Sequence, residues 1–145
     1  MALEFTEFLA RIITAVVLGG IIGVEREYHK RPAGVLTLPL VALGSALMTI
    51  ISFAVPGTPD PTRIAAGIAA GIGFIGAGSI LKIKDNVRGI TTAAAIWVVA
   101  AIGMAAGFGF YMEAIATTML GVLIVFIGFP IKDYFENKPN EKRRR

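Results

Sequence analysis

Apolar residues in this chain do not alternate with polar ones; they run in five long blocks separated by short charged segments. The blocks cover roughly 5–24, 32–55, 64–81, 90–110 and 112–131. Each is close to the length of about 20 residues that a helix needs to cross a bilayer. The pattern predicts an all-α fold: a polytopic membrane helical bundle with five transmembrane helices in one domain, residues 1–131. Residues 132–145 follow as a basic tail.

Composition strengthens that picture. The 145 residues are 55% hydrophobic and 17% charged, with a mean hydropathy of +0.73. A soluble chain of this size could not bury so much apolar surface. The segment MALEFTEF has Glu4 and Glu7 and no basic stretch, so the first block reads as a permanent helix, not a cleaved signal peptide. With no cysteine, thiolate metal sites and disulfides drop out.

The net charge of +4 comes largely from Lys138, Lys142, Arg143, Arg144 and Arg145. That tail suits the anionic lipids of an adjoining leaflet better than a nucleic acid. Basic residues also set orientation, because Lys and Arg concentrate in cytoplasmic loops. With five spans, twelve of them fall on one side: three in EREYHKR, three in KIKDNVR, and Lys132 with the five tail residues. Only Arg11 and Arg63 fall on the other. The N-terminus is therefore expected outside and the C-terminus in the cytoplasm.

The stretch GIAAGIGFIGAGSI contains G-x-G-x-x-G at Gly71, Gly73 and Gly76. A dinucleotide loop would need a preceding strand, and RIAAGIAA offers no β-branched alternation. Small residues instead allow helices in lipid to approach closely. The spacing G-x-x-x-G occurs at Gly19/Gly23, Gly67/Gly71 and Gly103/Gly107, and Gly76 and Gly78 extend the third block's small surface. These glycines are expected to pack helices, with helix three at the centre; a substrate path through a glycine-interrupted helix is the alternative. A shift of 55 positions aligns Gly23 with Gly78, Gly34 with Gly89, Val35 with Ile90 and Thr37 with Thr92. Such a weak parallel repeat would relate the first two helical hairpins and leave helix five as an addition.

The blocks GGIIGVERE, KRPAGVLT, DPTRIAA, GIGFIGAG and VRGITTAAAIWVVAAIG, between about Gly19 and Gly109, resemble the MgtC/SapB family. The resemblance implies a multi-pass protein of the bacterial inner membrane, in a virulence-associated family linked to magnesium homeostasis and to survival in low magnesium or inside host cells. It further implies a regulator that binds other membrane proteins, the proton-translocating ATP synthase among them. Typical MgtC members continue into a soluble C-terminal domain, whereas this chain stops at Arg145. The family's D-P-x-R-x-A-A block often ends in Gln where Gly67 stands here.

Candidate functional residues are the charges and hydroxyls at span ends. Ionisable groups inside a membrane are functional candidates by default, yet the span centres have none. Asp60 before Pro61 fits a helix cap. Arg63 would sit in the first turn, where the dipole disfavours a cation, so it needs an anion: Asp60, a lipid or another protein. At the end of helix one, Arg26 suits its position and Glu25 does not; Glu25 is expected to pair with Arg26, Lys30 or Arg88. His29 reads as solvated. Thr91 and Thr92 are placed to cap helix four, and Trp97 is expected to pack with its N–H on another helix.

Nothing here resembles an enzyme, a cofactor site or a metal cluster. The expected role is regulatory, through helix contacts with other membrane proteins, and a homodimer is favoured. The alternative is a small transporter or channel for magnesium or another cation.

Overall fold

Helices in an apolar solvent cannot be held together by hydrophobicity alone, so close contact between backbones decides which of them pair. The computed structural model describes residues 3–54, 60, 62–84 and 86–136. Five helices form: α1 Phe5–Tyr28, α2 Thr37–Ala54, α3 Thr62–Gly78, α4 Ile90–Phe108 and α5 Tyr111–Glu136. Phe5–Tyr28, Ile90–Phe108 and Tyr111–Ile131 are long and apolar enough to cross a membrane. The apolar helices Thr37–Phe53 and Thr62–Gly78 are shorter. The fold is thus that of an all-helical membrane protein, with one small addition.

That addition is a hairpin of two exposed strands, β1 Leu81–Ile83 and β2 Asn86–Arg88, paired antiparallel with Lys82 opposite Val87. It occupies the segment expected to be a plain charged loop, and it ends the third apolar block at Gly78. At the far end, α5 continues through Pro130 to Glu136, so the helix runs past the expected boundary at residue 131. The basic residues of 137–145 lie outside the described residues.

The width of each buried stripe shows where a helix sits. In α4, Thr92, Ile96, Val99, Ala100, Ile102, Gly103, Ala106 and Gly107 are buried, a broad face that meets several neighbours. α2 is similar, burying Leu38, Ala42, Ser45, Ala46, Thr49, Ile50 and Ser52. In α3 the buried residues are Ile68, Ile72 and Gly76, one narrow line four residues apart. The central pair is therefore α2 and α4. α1 packs on both, α5 on α1 and α4, and α3 mainly on α4 with a lesser contact to α2. Helix three is peripheral within the chain, which corrects the expectation of a central place for it.

Glycine placement explains the difference. A Cβ at Gly103 would collide with the Ala42 carbonyl and stand 2.9 Å from its Cα. One at Gly107 would stand 2.7 Å from the Ala46 carbonyl oxygen and 2.8 Å from Thr49 Cβ. On α1, Gly19 presses on Ala42 and Gly23 on the Gly34–Val35 backbone, at 2.8 and 3.0 Å for an added Cβ. The α3 glycines differ. Gly67, Gly71 and Gly78 have nothing within 4 Å of such a Cβ, and Gly76 meets Ala93 at an ordinary 3.6 Å. Among the described residues nothing packs against Gly67, Gly71 or Gly78, so the close contacts expected for them are not made there.

The buried hydroxyls of Thr49, Ser52 and Thr118 in α2 and α5 are satisfied within their own helices. Thr49 Oγ1 donates to the Ser45 carbonyl at 2.8 Å, and Ser52 Oγ to the Thr49 carbonyl at 2.6 Å. Thr118 Oγ1 returns its proton to the Ala114 carbonyl at 2.8 Å. Hydroxyls bonded to their own helix leave no unpaired donor where water is scarce.

Gly103→Ala is expected to lower stability by about 1–3 kcal/mol, the usual range for overpacking, whereas Gly71→Ala should hold or raise the melting temperature of the detergent-solubilised chain, because alanine is the better helix former and the added methyl meets nothing among the described residues. Equal losses in both variants would show that the α3 glycines are packed after all.

Candidate functional site at the loop end of the bundle

The chain order places the ends of α1, α3 and α5 beside the starts of α2 and α4. Arg26 stands in the last turn of α1, where its charge complements the helix dipole. Its side chain turns inward and is only 1% exposed. Nη2 donates to the Pro32 carbonyl at 2.6 Å and to Thr92 Oγ1 at 2.8 Å. Nε lies 3.1 Å from both the Pro32 and the Ala33 carbonyl oxygens. One planar group thus ties α1, the loop to α2 and the start of α4. Nη1 is buried and has no hydrogen-bond partner among the described residues.

Beside it opens a cavity of about 550 Å³, lined by Arg26, Lys30, Arg31, Arg88, Thr91 and Thr92 among others. Phe129 of α5 forms a wall, with the Arg31 guanidinium 4.2 Å from its ring centroid, a cation–π contact. The first turn of α4 forms another wall. Gly89, its N-cap, has φ +92°, and a Cβ there would strike the Ser79 carbonyl, so only glycine fits.

Of the residues singled out from sequence, Arg26 and Thr92 meet directly. Thr92 does not cap α4 as expected: no side chain caps that helix, and the Thr92 hydroxyl accepts from Arg26 instead. Glu25 points elsewhere. Its Oε1 lies 2.8 Å from His29 Nδ1, an ion pair when the imidazole is protonated; among the described residues no salt bridge joins it to Arg26, Lys30 or Arg88, although its charge acts on the neighbouring Arg26. His29 is accordingly engaged, and its ring also lies against Tyr28 and Phe129. Trp97 is 54% exposed, on the outside of the bundle.

Asp60 and Arg63 sit at the opposite end, at the start of α3. Asp60 Oδ1 accepts from the Thr62 hydroxyl at 2.6 Å and the Thr62 amide at 2.8 Å. These bonds, the hydroxyl's first, hold its carboxyl below the ordinary carboxylate range. The cap therefore persists at neutral pH and weakens only as acid protonates Asp60. No ion pair joins Asp60 to Arg63, whose exposed side chain borders an apolar groove between α2 and α3.

Arg11, in the sequence no more than a charge on the outer side, organises that same end. Its Nε pairs with Glu7 Oε1 at 2.8 Å, and Nη1 donates to the Gly107 carbonyl at 2.8 Å. Tyr111 Oη donates to the same Glu7 oxygen at 2.9 Å. The four-residue spacing of Glu7 and Arg11 was the available signal. Lys30, Arg31 and Arg88 carried no signal of convergence, because two loops far apart in sequence supply them.

The sequence profile of the MgtC family matches residues 12–134. A protein named Protein MgtC in Brucella abortus is 43% identical over 84% of this chain and 51% of its own length. The putative magnesium transporter YhiD of Escherichia coli is 44% identical over 82% of this chain and 59% of its own. An uncharacterised protein of Synechocystis is 41% identical over 94% and 58% respectively. The chain spans between half and three-fifths of the length of these curated relatives. No solved structure matches it.

Thr92→Val should cost about 1–3 kcal/mol, the range for leaving a buried donor short of an acceptor, and Thr92→Ser should restore most of it. Thermal unfolding in detergent measures both. A Thr92→Val chain as stable as the wild type would remove the Arg26–Thr92 bond from the fold's supports.

Proposed function

The chain belongs to the MgtC family, and from that premise we propose that it is a multi-pass protein of the bacterial inner membrane with a regulatory, interaction-based role in magnesium homeostasis. Family membership and the name of the Escherichia coli relative supply the link to magnesium. The observation that carries the interaction role is the open groove between α2 and α3. Gly44, Gly67, Gly71 and Ser45 line it, so another backbone could approach closely, and Arg63 stands at its rim. A helix of another membrane protein with an acidic group near its end would match that surface.

Five spans follow if the two shorter helices also cross. The 17 residues of α3 extend about 26 Å at 1.5 Å per residue, a few ångströms short of a hydrocarbon core of about 30 Å. Arg63 at one end and the basic hairpin at the other can make up that difference by reaching to the interface. The N-terminus then lies outside and the C-terminus inside, as the basic residues require.

The second reading, a cation transporter or channel, draws on the name of the relative and on the parallel repeat. α2 and α4 run side by side in the same direction, with α1 on one and α3 on the other, as two repeated hairpins would place them. Against it, no group of three or more His, Cys, Asp or Glu side chains that could hold a metal ion occurs among the described residues. Magnesium is usually held through carboxylates. Liposomes carrying the purified protein discriminate: the interaction role expects no flux of labelled magnesium above protein-free vesicles, and saturable flux would favour transport.

A reporter active only in the cytoplasm should work when fused after Arg145; activity of a periplasm-only reporter there would overturn the topology. Arg63→Ala should insert at normal levels, because no ion pair to Asp60 is lost, yet fail to support growth at low magnesium. Full complementation by a well-expressed Arg63→Ala protein would end the role given to Arg63.

A further inference from the structure

We infer that the basic cavity at the end of α1 is a binding site for a phosphate-bearing anion. This goes beyond the role proposed above and does not rest on it. Four cationic side chains, Arg26, Lys30, Arg31 and Arg88, converge on one cavity, and no carboxylate lines it among the described residues. Like charges held together in this way repel one another, and the Glu25 carboxylate beside Arg26 offsets only part of the four positive charges. Among the described residues the same lining offers a divalent cation no carboxylate.

Two independent features border the same space. The first is Arg26, which is 1% exposed and lines the cavity while its buried Nη1 lacks a hydrogen-bond partner. Buried charged donors are seldom left unpaired, and guanidinium matches the spacing of phosphate oxygens. The second is the start of α4. Its first helical hydrogen bond runs from the Ala93 amide to the Gly89 carbonyl at 2.9 Å, so the amides of Ile90, Thr91 and Thr92 precede the helical ladder. No side chain caps them, and Gly89, Ile90, Thr91 and Thr92 all line the cavity. Uncapped amides with the positive end of a helix dipole form an anion site. Arg26 and the uncapped first turn of α4 therefore line one volume of about 550 Å³, enough for a phosphate group with water.

The phosphate could belong to a soluble compound or to an anionic lipid headgroup, and the test separates them. The full chain is purified in uncharged detergent and its melting temperature followed against inorganic phosphate, with chloride at matched ionic strength as control. In parallel it is placed in nanodiscs of phosphatidylcholine with or without phosphatidylglycerol. Stabilisation by inorganic phosphate beyond chloride identifies a soluble ligand; stabilisation by phosphatidylglycerol alone identifies the headgroup. The double variant Lys30→Gln/Arg88→Gln changes exposed side chains and leaves the Arg26–Thr92 bond in place. Its apparent affinity should fall roughly tenfold or more, as expected for lost charge-assisted contacts. The inference is overturned if neither probe stabilises the wild type beyond its control, or if the double variant binds as tightly as the wild type. The readout depends on neither orientation nor growth at low magnesium, so it stands apart from the tests of function.

Discussion

Ala42 is the point on which the bundle turns. One face of this residue meets Gly103 of α4 and another meets Gly19 of α1, each too close to admit a further carbon. In lipid, where apolar side chains gain little by meeting each other, such contacts are what distinguish one arrangement of helices from another. The pairing of Gly107 with Ala46 and Thr49 repeats the contact one turn along. Together they draw α2 and α4 into a parallel central pair, and the remaining helices take places around it.

Polar contacts then fix the ends of α1 against α4. Arg11 reaches the Gly107 carbonyl at one end, and Arg26 reaches Thr92 at the other. A helix clamped at both ends can neither slide nor rotate, which keeps Gly19 and Gly23 in register with α2. The tight turn after α4 serves the same end. Gly109 adopts φ +87°, and the Phe110 amide returns to the Ala105 carbonyl at 2.8 Å, while the Arg11 guanidinium fills the space where a side chain would stand. Charge at the start of α1 is thus neutralised by Glu7, oriented by Tyr111 and used to close the bundle.

The arrangement leaves the two flanks unequal. α5 packs along α1 and α4, whereas the corresponding flank between α2 and α3 stays open, with its glycines outward. The two bundle ends are unequal as well. One has a self-contained Glu7–Arg11–Tyr111 cluster, and the other has an excess of cations around a cavity. Surfaces left apolar and open, or charged and unbalanced, are the places where such a protein can meet something else.

Much of this was legible in the sequence. Blocks of apolar residues near spanning length give helices, because in lipid a helix satisfies its own backbone and an isolated strand cannot. The charged segments between them give the turns, and the blocks from Gly19 to Gly109 give the family. The sequence also marks Arg26 and Thr92 as residues worth following, since polar groups at span ends need partners. It could not show that they are partners of each other, because 66 residues separate them and only the packing of α1 against α4 brings them together. Nor could G-x-x-x-G spacing tell Gly103 from Gly71. Both sit on small-residue faces, and the difference lies in whether a neighbouring backbone arrives there. Which helix is central, which glycines are filled, and which four cations share one cavity are properties of the packed bundle, because each depends on residues contributed by separate segments of the chain.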